Sequence, residues 1–245
     1  MNFNEKNVRA FYRLLNHRFL TELRFLKRGH FPAFSIVKSE DEFVKKCKAW
    51  TPTLPPPSQP SAGPHGKRNV YAGLRDRRKD LKRCANFGDI IGLQIVTLDI
   101  DPIREPETPS TDQELKNALE VAEFIRNWFS KKSYVPPIRA MTGNGVCLYF
   151  CTPYYEITDG NRDEVTRALE KFEQNCRKKF KEILKERNCQ IDRMFDLPRI
   201  GKVIGTMSVK GENTKERPWR LSYFIDEPKR IEDKKFLQNL LKGKI

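Results

Sequence analysis

The stretch Val96-Thr97-Leu98-Asp99-Ile100-Asp101 decides the fold of this chain, because an apolar run ends in two aspartates that are separated by one residue. Side chains alternate between the two faces of a β-strand, so Asp99 and Asp101 project from the same side. Two carboxylates held on one rigid surface repel each other, and a divalent cation between them relieves the repulsion. Oxygen ligands of this kind favour Mg²⁺ or Mn²⁺. The alternative is an acidic turn at a strand end that binds no ligand.

The residues before the aspartates indicate where the strand lies. Residues 90–98 are rich in apolar and β-branched side chains, which predicts a buried strand. Pro102 follows directly and cannot donate a hydrogen bond to a neighbouring strand. We therefore expect the strand to end at the aspartates.

Composition narrows the class of protein. The chain has 245 residues, of which 32% are charged and 38% hydrophobic, which is typical of a soluble globular protein with one large or two small domains. It has no apolar run near the ~20 residues that a membrane span needs, and its first residues lack the apolar core of a signal peptide. We therefore expect a cytoplasmic protein without a membrane partner. The formal net charge of +15 indicates a polyanionic partner, nucleic acid first, with charge for solubility as the alternative.

Cysteine and histidine give no metal or catalytic signature. The six cysteines contain no C-x-x-C pair, so we expect reduced thiols and no zinc finger. The three histidines all lie in the first third of the chain, away from the acidic strand.

Hydrophobic periodicity predicts intermixed helices and strands. We expect helices near 4–18, 39–50, 111–130, 161–188 and 231–242. We expect strands near 21–26, 33–37, 69–74, 90–98, 138–141, 146–151 and 222–225. A turn at Arg28-Gly29-His30 and a proline-rich loop over 51–66 complete the pattern. Such intermixing favours an α/β or α+β domain with a central mixed sheet.

Two further segments carry polar chemistry. Residues 142–145, Thr-Gly-Asn-Gly, form a tight turn whose amides could bind an anion, although Asn-Gly is equally typical of an ordinary hairpin. Further along, Asp192 precedes the spaced cations Arg199, Lys202 and Lys210. These could hold a triphosphate through charge-assisted hydrogen bonds, or could form a solvated basic edge.

The order of these segments resembles the archaeo-eukaryotic primase superfamily, in particular the primase-polymerase (prim-pol) domains of archaeal and bacterial plasmids and viruses. The matching segments are Leu98–Asp101, Thr142–Phe150, Ile191-Asp192 and Arg199–Lys210, with Thr21–Arg24 and Asn69–Gly73 similar to the family's N-terminal strands. The resemblance covers residues 20–211. It implies a two-lobed α/β (α+β) catalytic core over 1–245 with mixed sheets. An N-terminal lobe would span 1–90, an RRM-like catalytic lobe 91–225, and a C-terminal helix 231–242.

The resemblance also implies an activity. It is that of a template-directed nucleotidyltransferase, a DNA primase and DNA polymerase, which replicates a plasmid, virus or other mobile element. Two divalent ions, Mg²⁺ or Mn²⁺, would be held by Asp99, Asp101 and Asp192. The phosphates of a dNTP or NTP would be bound by Thr142, Gly143, Asn144, Gly145, Cys147, Arg199, Lys202 and Lys210. Single-stranded DNA template and primer would contact Arg75, Arg77, Arg78, Lys178 and Lys181. A helicase, either fused beyond Ile245 or separate, is a further implied partner.

One residue departs from the family pattern and keeps other functions open. The second motif normally ends in histidine, where this chain has Cys147, and a thiol is a much weaker hydrogen-bond donor than an imidazole. A non-catalytic module that binds single-stranded DNA or initiates replication is therefore an alternative. A metal-dependent nuclease is another, since it also uses carboxylates and metal.

Overall fold

The structure is a computed structural model that describes residues 2–27, 32–51 and 68–245. The predicted turn at 28–30 and all but the first residue of the predicted loop over 51–66 lie outside these described residues.

Helices and strands alternate along the chain. The helices are α1 Glu5–Leu15, α2 Glu40–Trp50, α3 Asp112–Lys131, α4 Arg162–Lys179, α5 Lys181–Glu186 and α6 Lys234–Leu241. The first six strands are β1 Thr21–Leu26, β2 Ala33–Val37, β3 Asn69–Gly73, β4 Asp76–Arg77, β5 Ile90–Pro102 and β6 Ile138–Met141. The others are β7 Val146–Glu156, β8 Cys189–Ile191, β9 Ile200–Lys202, β10 Met207–Ser208, β11 Arg220–Leu221 and β12 Tyr223–Phe224. Within the described part of the chain, no helix is both long and apolar enough to cross a membrane.

One helix differs from the sequence prediction for a clear physical reason. The predicted helix over 161–188 is interrupted at Phe180 (φ −102°, ψ 16°), whose buried ring packs edge-on against Trp128. Strand β5 ends directly after the aspartates, as predicted, and β8 pairs with its last three residues.

The strands form two principal sheets. One has four strands in the order β2-β1-β3-β9, and the other has six, in the order β12-β6-β7-β5-β4 with β8 beside β5. A small pair, β10-β11, lies apart from both. The predicted mixed sheet is wrong for the described strands, whose pairings are all antiparallel.

Two hydrophobic cores fix the direction of the strand β5. One core packs the six-stranded sheet against α3, α4 and α6, and includes Leu98 and Ile100. The other includes residues of α1, α2 and the four-stranded sheet together with Tyr149 and Cys147 of β7. Because β5 alternates and Asp99 lies opposite Cys147, the aspartates belong to the face of this second core.

The two sheets exchange strands across the predicted lobe boundary at residue 90. Strand β4, which precedes the boundary, pairs with β5, and strand β9, which follows it, pairs with β3. The boundary itself stays a prediction.

Candidate active site

The three predicted catalytic aspartates lie on one cleft of about 1050 Å³. Strand β5 carries Asp99 and Asp101, and Asp192 follows directly after β8. The backbone N–H of Asp192 donates to the carbonyl of Asp99 over 2.7 Å, which continues the β5–β8 pairing by one further bond. Residues that are far apart in sequence are thereby held on one wall.

Burial and neighbouring charges shift the pKa values of two carboxyl groups on this wall. Burial raises the pKa of Asp99 well above its usual range, and the charges of Asp101 and Asp192 raise it further. Burial also raises the pKa of Asp101, while the neighbouring Arg104 opposes that rise. One buried oxygen of Asp99, Oδ1, has no hydrogen-bond partner. An unpaired buried carboxylate oxygen beside two other acids is costly unless a cation approaches it.

The donor chemistry of this wall fits a divalent ion, but the ligands are not yet gathered around one point. Nε2 of Gln190 donates to Oδ1 of Asp192 over 2.9 Å, and Nη2 of Arg104 donates to Oδ2 of Asp101 over 3.4 Å. Among residues 2–27, 32–51 and 68–245, no three His, Cys, Asp or Glu side chains are arranged to hold a metal ion. A bound ion would therefore compete with Gln190 for the third carboxylate.

The glycine-rich turn joins β6 and β7 as an antiparallel hairpin, which confirms the hairpin interpretation of residues 142–145. The backbone N–H of Thr142 donates to the carbonyl of Gly145 over 2.9 Å, and Gly143 has a φ of +114° that favours glycine. A Cβ atom on Gly145 would overlap Oδ1 of Asp101. The turn thus needs glycine at 145 because the end of strand β5 that carries Asp101 passes directly over it.

Within this turn, the side chain of Asn144 links two other segments of the protein by hydrogen bonds. Its Oδ1 accepts a hydrogen bond from the backbone N–H of Ser110 over 3.0 Å, and its Nδ2 donates to Oγ of Ser208 over 3.2 Å. Thr142 and Asn144 both line the cleft. The predicted phosphate contacts of residues 142–145 stay a prediction.

The three predicted phosphate-binding cations also line the cleft, each in a different environment. Lys202 is buried, and its Nζ donates to the carbonyl of Met207 over 2.6 Å; burial lowers the pKa of this lysine to about 7. Arg199 is partly exposed and forms an ion pair with Asp196. Lys210 is partly exposed, and its charge lowers the pKa of Asp99.

Cys147 lies opposite Asp99 in the β5–β7 pairing and lines the cleft. It is only 4% exposed, and burial raises the pKa of its thiol well above the usual range. A neutral thiol at this position adds no charge to the site.

Two salt-bridged side chains brace the segment that carries Asp192. Nε of Arg177 donates to the carbonyl of Ile191 over 2.9 Å, and its Nη2 donates to the carbonyl of Asp192 over 3.1 Å. The same guanidinium pairs with buried Glu173, whose other oxygen accepts from the backbone N–H of Met194 over 2.7 Å. Arg177 thus acts as a brace behind the site.

The prediction that Arg75 and Arg77 contact DNA is wrong. Their exposed fractions are 1% and 0%. Arg75 donates to backbone carbonyls of the 194–197 segment, and Arg77 forms a fully buried ion pair with Glu22 at 3.0 Å. These guanidinium groups replace water as partners of interior carbonyls and a carboxylate. The other predicted DNA contacts are exposed: Arg78, Lys178 and Lys181.

Among the cleft residues that sequence reasoning did not single out are Arg104 and Trp219. Arg104 lies three positions after Asp101, and its side chain is only 5% exposed. It donates to the carbonyls of Pro102 and Thr108 and to the Asp101 carboxylate. The short spacing between Asp101 and this arginine is a sequence pattern that could have predicted their ion pair. Trp219 also lines the cleft, and nothing in the local sequence distinguishes it.

Comparison with solved structures finds a similar fold in a primase. The crystal structure of primase RepB' superposes with a TM-score of 0.51 and 9% sequence identity, over 98% of this chain and 61% of that one. The chain has a primase-like fold. This confirms the predicted α/β (α+β) fold class, and the chain spans 61% of the length of that primase.

A second similar structure is the catalytic domain of primase RepB' in complex with initiator DNA. Its TM-score is 0.49 with 10% identity, over 98% of this chain and 92% of that one. No protein-family profile and no curated protein sequence matches the chain.

Proposed function

We propose that this chain is a template-directed nucleotidyltransferase, a primase and DNA polymerase of the prim-pol type. The observation that carries the proposal is the hydrogen bond from Asp192 to Asp99, because it assembles three carboxylates on one cleft wall. A protein that only binds nucleic acid has no need for this costly concentration of partly buried acid.

In this proposal Asp99, Asp101 and Asp192 hold two ions of Mg²⁺ or Mn²⁺. When bound, such ions lower the pKa of an attacking 3′-hydroxyl and neutralise the charge of a triphosphate. Asp99 must lose its proton to become a ligand, and burial raises its pKa, so metal affinity rises with pH. Oδ1 of Asp99 has no hydrogen bond that an ion would have to displace.

The opposite charge in the cleft binds the nucleotide phosphates. Arg199, Lys202 and Lys210 supply charged donors, and such hydrogen bonds are about twice as strong as neutral ones. Further contacts are proposed for Thr142, Gly143, Asn144, Gly145 and Cys147. Lys202 is close to half-protonated at neutral pH and is expected to take up a proton when phosphate binds beside it.

Single-stranded template and primer are proposed to bind the exposed cations outside the cleft. Arg78, Lys178 and Lys181 are exposed and project charge from β4's end and from α4 and α5. Phosphate contacts of this kind weaken steeply with salt. We therefore expect DNA affinity to fall as ionic strength rises, with no dependence on the carboxylates.

The direct test is nucleotide incorporation by the full chain. A labelled dNTP or NTP is supplied with single-stranded template, with and without primer, in Mg²⁺ or Mn²⁺. Extension of a primer supports the polymerase, and products without primer support the primase. DNA binding without incorporation would favour the non-catalytic module, and shortening of the strand would favour the nuclease.

A further inference from the structure

Trp219 differs from the other two tryptophans in its surroundings. Trp50 stacks on Phe25 with ring centroids 4.6 Å apart, and Trp128 packs edge-on against Phe129 and Phe180. Within the three described ranges of the chain, the Trp219 ring contacts no other aromatic ring and no cation. It is partly exposed and lines the cleft of the three aspartates. A large apolar ring that is partly exposed in a cleft with many polar residues is a candidate ligand contact.

The polar group of this side chain is already occupied. The indole N–H donates to the carbonyls of Lys210 and Gly211, each over 3.2 Å, and the backbone N–H donates to Oδ1 of Asn213 over 2.8 Å. The ring is therefore held at a fixed place on its loop. What remains for a ligand is the flat apolar surface.

The loop that carries the ring is itself anchored to the segment that follows β5 and to the start of α3. Arg217 donates to the carbonyl of Pro109 over 2.6 Å and pairs with Glu114 over 2.8 Å. A Cβ atom on Gly211 would overlap the carbonyl of Glu107, so the loop approaches the segment after β5 very closely. The ring position is thus fixed relative to the strand that carries the aspartates.

The charge next to the ring indicates which ligand it receives. Trp219 hydrogen-bonds to the backbone of Lys210, and the Lys210 side chain lines the same cleft as the three aspartates. A cationic phosphate partner and an open aromatic ring are therefore joined within one loop. A nucleotide is the ligand that presents phosphates and a flat ring together, and aromatic side chains stack on bases of every identity.

We propose that Trp219 is the stacking surface for the base of the incoming nucleotide. This inference rests on the proposed function of the cleft. Stacking gives affinity without preference among the four bases, so selection among them is left to the template strand. The side chain is a binding residue and takes no part in proton or phosphoryl transfer.

The test compares a ligand that has a base with one that lacks it. The native chain and Trp219→Ala are titrated with a nucleoside triphosphate and with inorganic triphosphate, in Mg²⁺ and without DNA, by calorimetry. Loss of the ring should weaken nucleotide binding by roughly 5- to 100-fold. Affinity for inorganic triphosphate should be unchanged. Trp219→Phe keeps a ring and should retain most of the nucleotide affinity.

Tryptophan fluorescence gives a second readout. Nucleotide should quench the native chain, inorganic triphosphate should not, and the quenching should vanish in Trp219→Phe but persist in the matched control Trp128→Phe. Melting curves of each variant report folding.

Three outcomes overturn the inference. Equal weakening of both ligands in Trp219→Ala would make the ring a structural anchor of its loop. Quenching by a single-stranded oligonucleotide but not by nucleotide would assign the ring to the template. If the native chain bound neither nucleotide nor inorganic triphosphate, the proposed function would fail together with this inference, and that result is distinct from the other two.

Discussion

The backbone N–H of Asp192 donates a hydrogen bond of 2.7 Å to the carbonyl oxygen of Asp99. This bond extends the pairing of Cys189–Ile191 with the end of strand Ile90–Pro102. The backbone position of the third acidic residue is therefore fixed relative to Asp99, and only the rotamer of its side chain can vary. In the structure, Oδ1 of Asp192 accepts a hydrogen bond from Nε2 of Gln190.

The brace behind Asp192 predicts a defect in metal use. Arg177→Met removes the donors to the carbonyls of Ile191 and Asp192 and leaves buried Glu173 without its partner. We expect the Mn²⁺ concentration needed for incorporation to rise roughly 10- to 100-fold, as for other residues that orient metal ligands. Titration of activity with Mn²⁺ measures this. Arg167→Met, an exposed arginine on the same helix, is the matched control, and equal metal dependence in the two variants would contradict the brace.

Lys202 predicts a pH dependence of nucleotide binding. Burial lowers its pKa to about 7, so above that pH the free site holds a neutral amine, while bound phosphate favours the charged form. Binding then requires proton uptake, and nucleotide affinity should fall as pH rises above 7, by up to about tenfold per unit. Calorimetry between about pH 7 and pH 9 in the native chain and Lys202→Met checks this. An identical slope in both proteins would assign the effect elsewhere.

The same lysine affects folding with the opposite sign. Because its pKa is lower in the folded chain than in the unfolded chain, the unfolded chain holds more protons between pH 7 and the ordinary lysine pKa of 10.5. Stability should therefore rise with pH across that window, and this contribution should be absent in Lys202→Met. Denaturant midpoints at several pH values measure it.

The buried arginines predict a loss of stability rather than a loss of DNA affinity. The carboxylate of Glu22 is 0% exposed, and Arg77→Met removes one of its ion-pair partners. Breaking a buried pair on one side typically costs about 3–5 kcal/mol, whereas an exposed substitution stays within about 0.5 kcal/mol. Urea unfolding of Arg77→Met against Arg78→Met, an exposed neighbour, gives the comparison. A native midpoint for Arg77→Met, with weakened DNA binding, would restore the original DNA-contact prediction.

Local patterns in the sequence were enough to predict several elements and the acidic pair. Strands Thr21–Leu26 and Ala33–Val37 were predicted at their observed bounds, because alternation and flanking residues are local signals. The shared face of Asp99 and Asp101 follows from strand geometry alone.

Long-range pairing and burial of charge were not predictable in the same way. The pairing of β8 with the end of strand β5 joins segments that lie far apart in the chain. The basic run at 75–79 has the composition of a solvated surface, and only the carbonyls of residues 194–197 explain why Arg75 is interior. Trp219 looks ordinary in sequence, because its importance comes from the cavity it faces.

Replacement of Cys147 by histidine is predicted to tighten nucleotide binding. It lies opposite Asp99 and lines the cleft, where the resembled family has histidine. Cys147→His should tighten nucleotide binding roughly threefold to a hundredfold, since a new hydrogen bond is worth about 0.5–3 kcal/mol depending on charge. The gain should be larger at low pH, where imidazole is charged. Nucleotide titrations and melting curves of both proteins decide between this and simple packing. Unchanged affinity with a lowered melting temperature would mean that the side chain only fills the core.

The most direct measurement of the central claim is incorporation by Asp99→Asn and Asp101→Asn, alongside their DNA affinity and melting temperature. Burial and two neighbouring acids disfavour the charge of Asp99, so its neutral variant should fold at least as stably as the metal-free native chain. Loss of a metal ligand should lower incorporation roughly a thousandfold or more. Binding to single-stranded DNA should be unchanged. Full incorporation by both variants, with their folds intact, would contradict the assignment of these aspartates to catalysis.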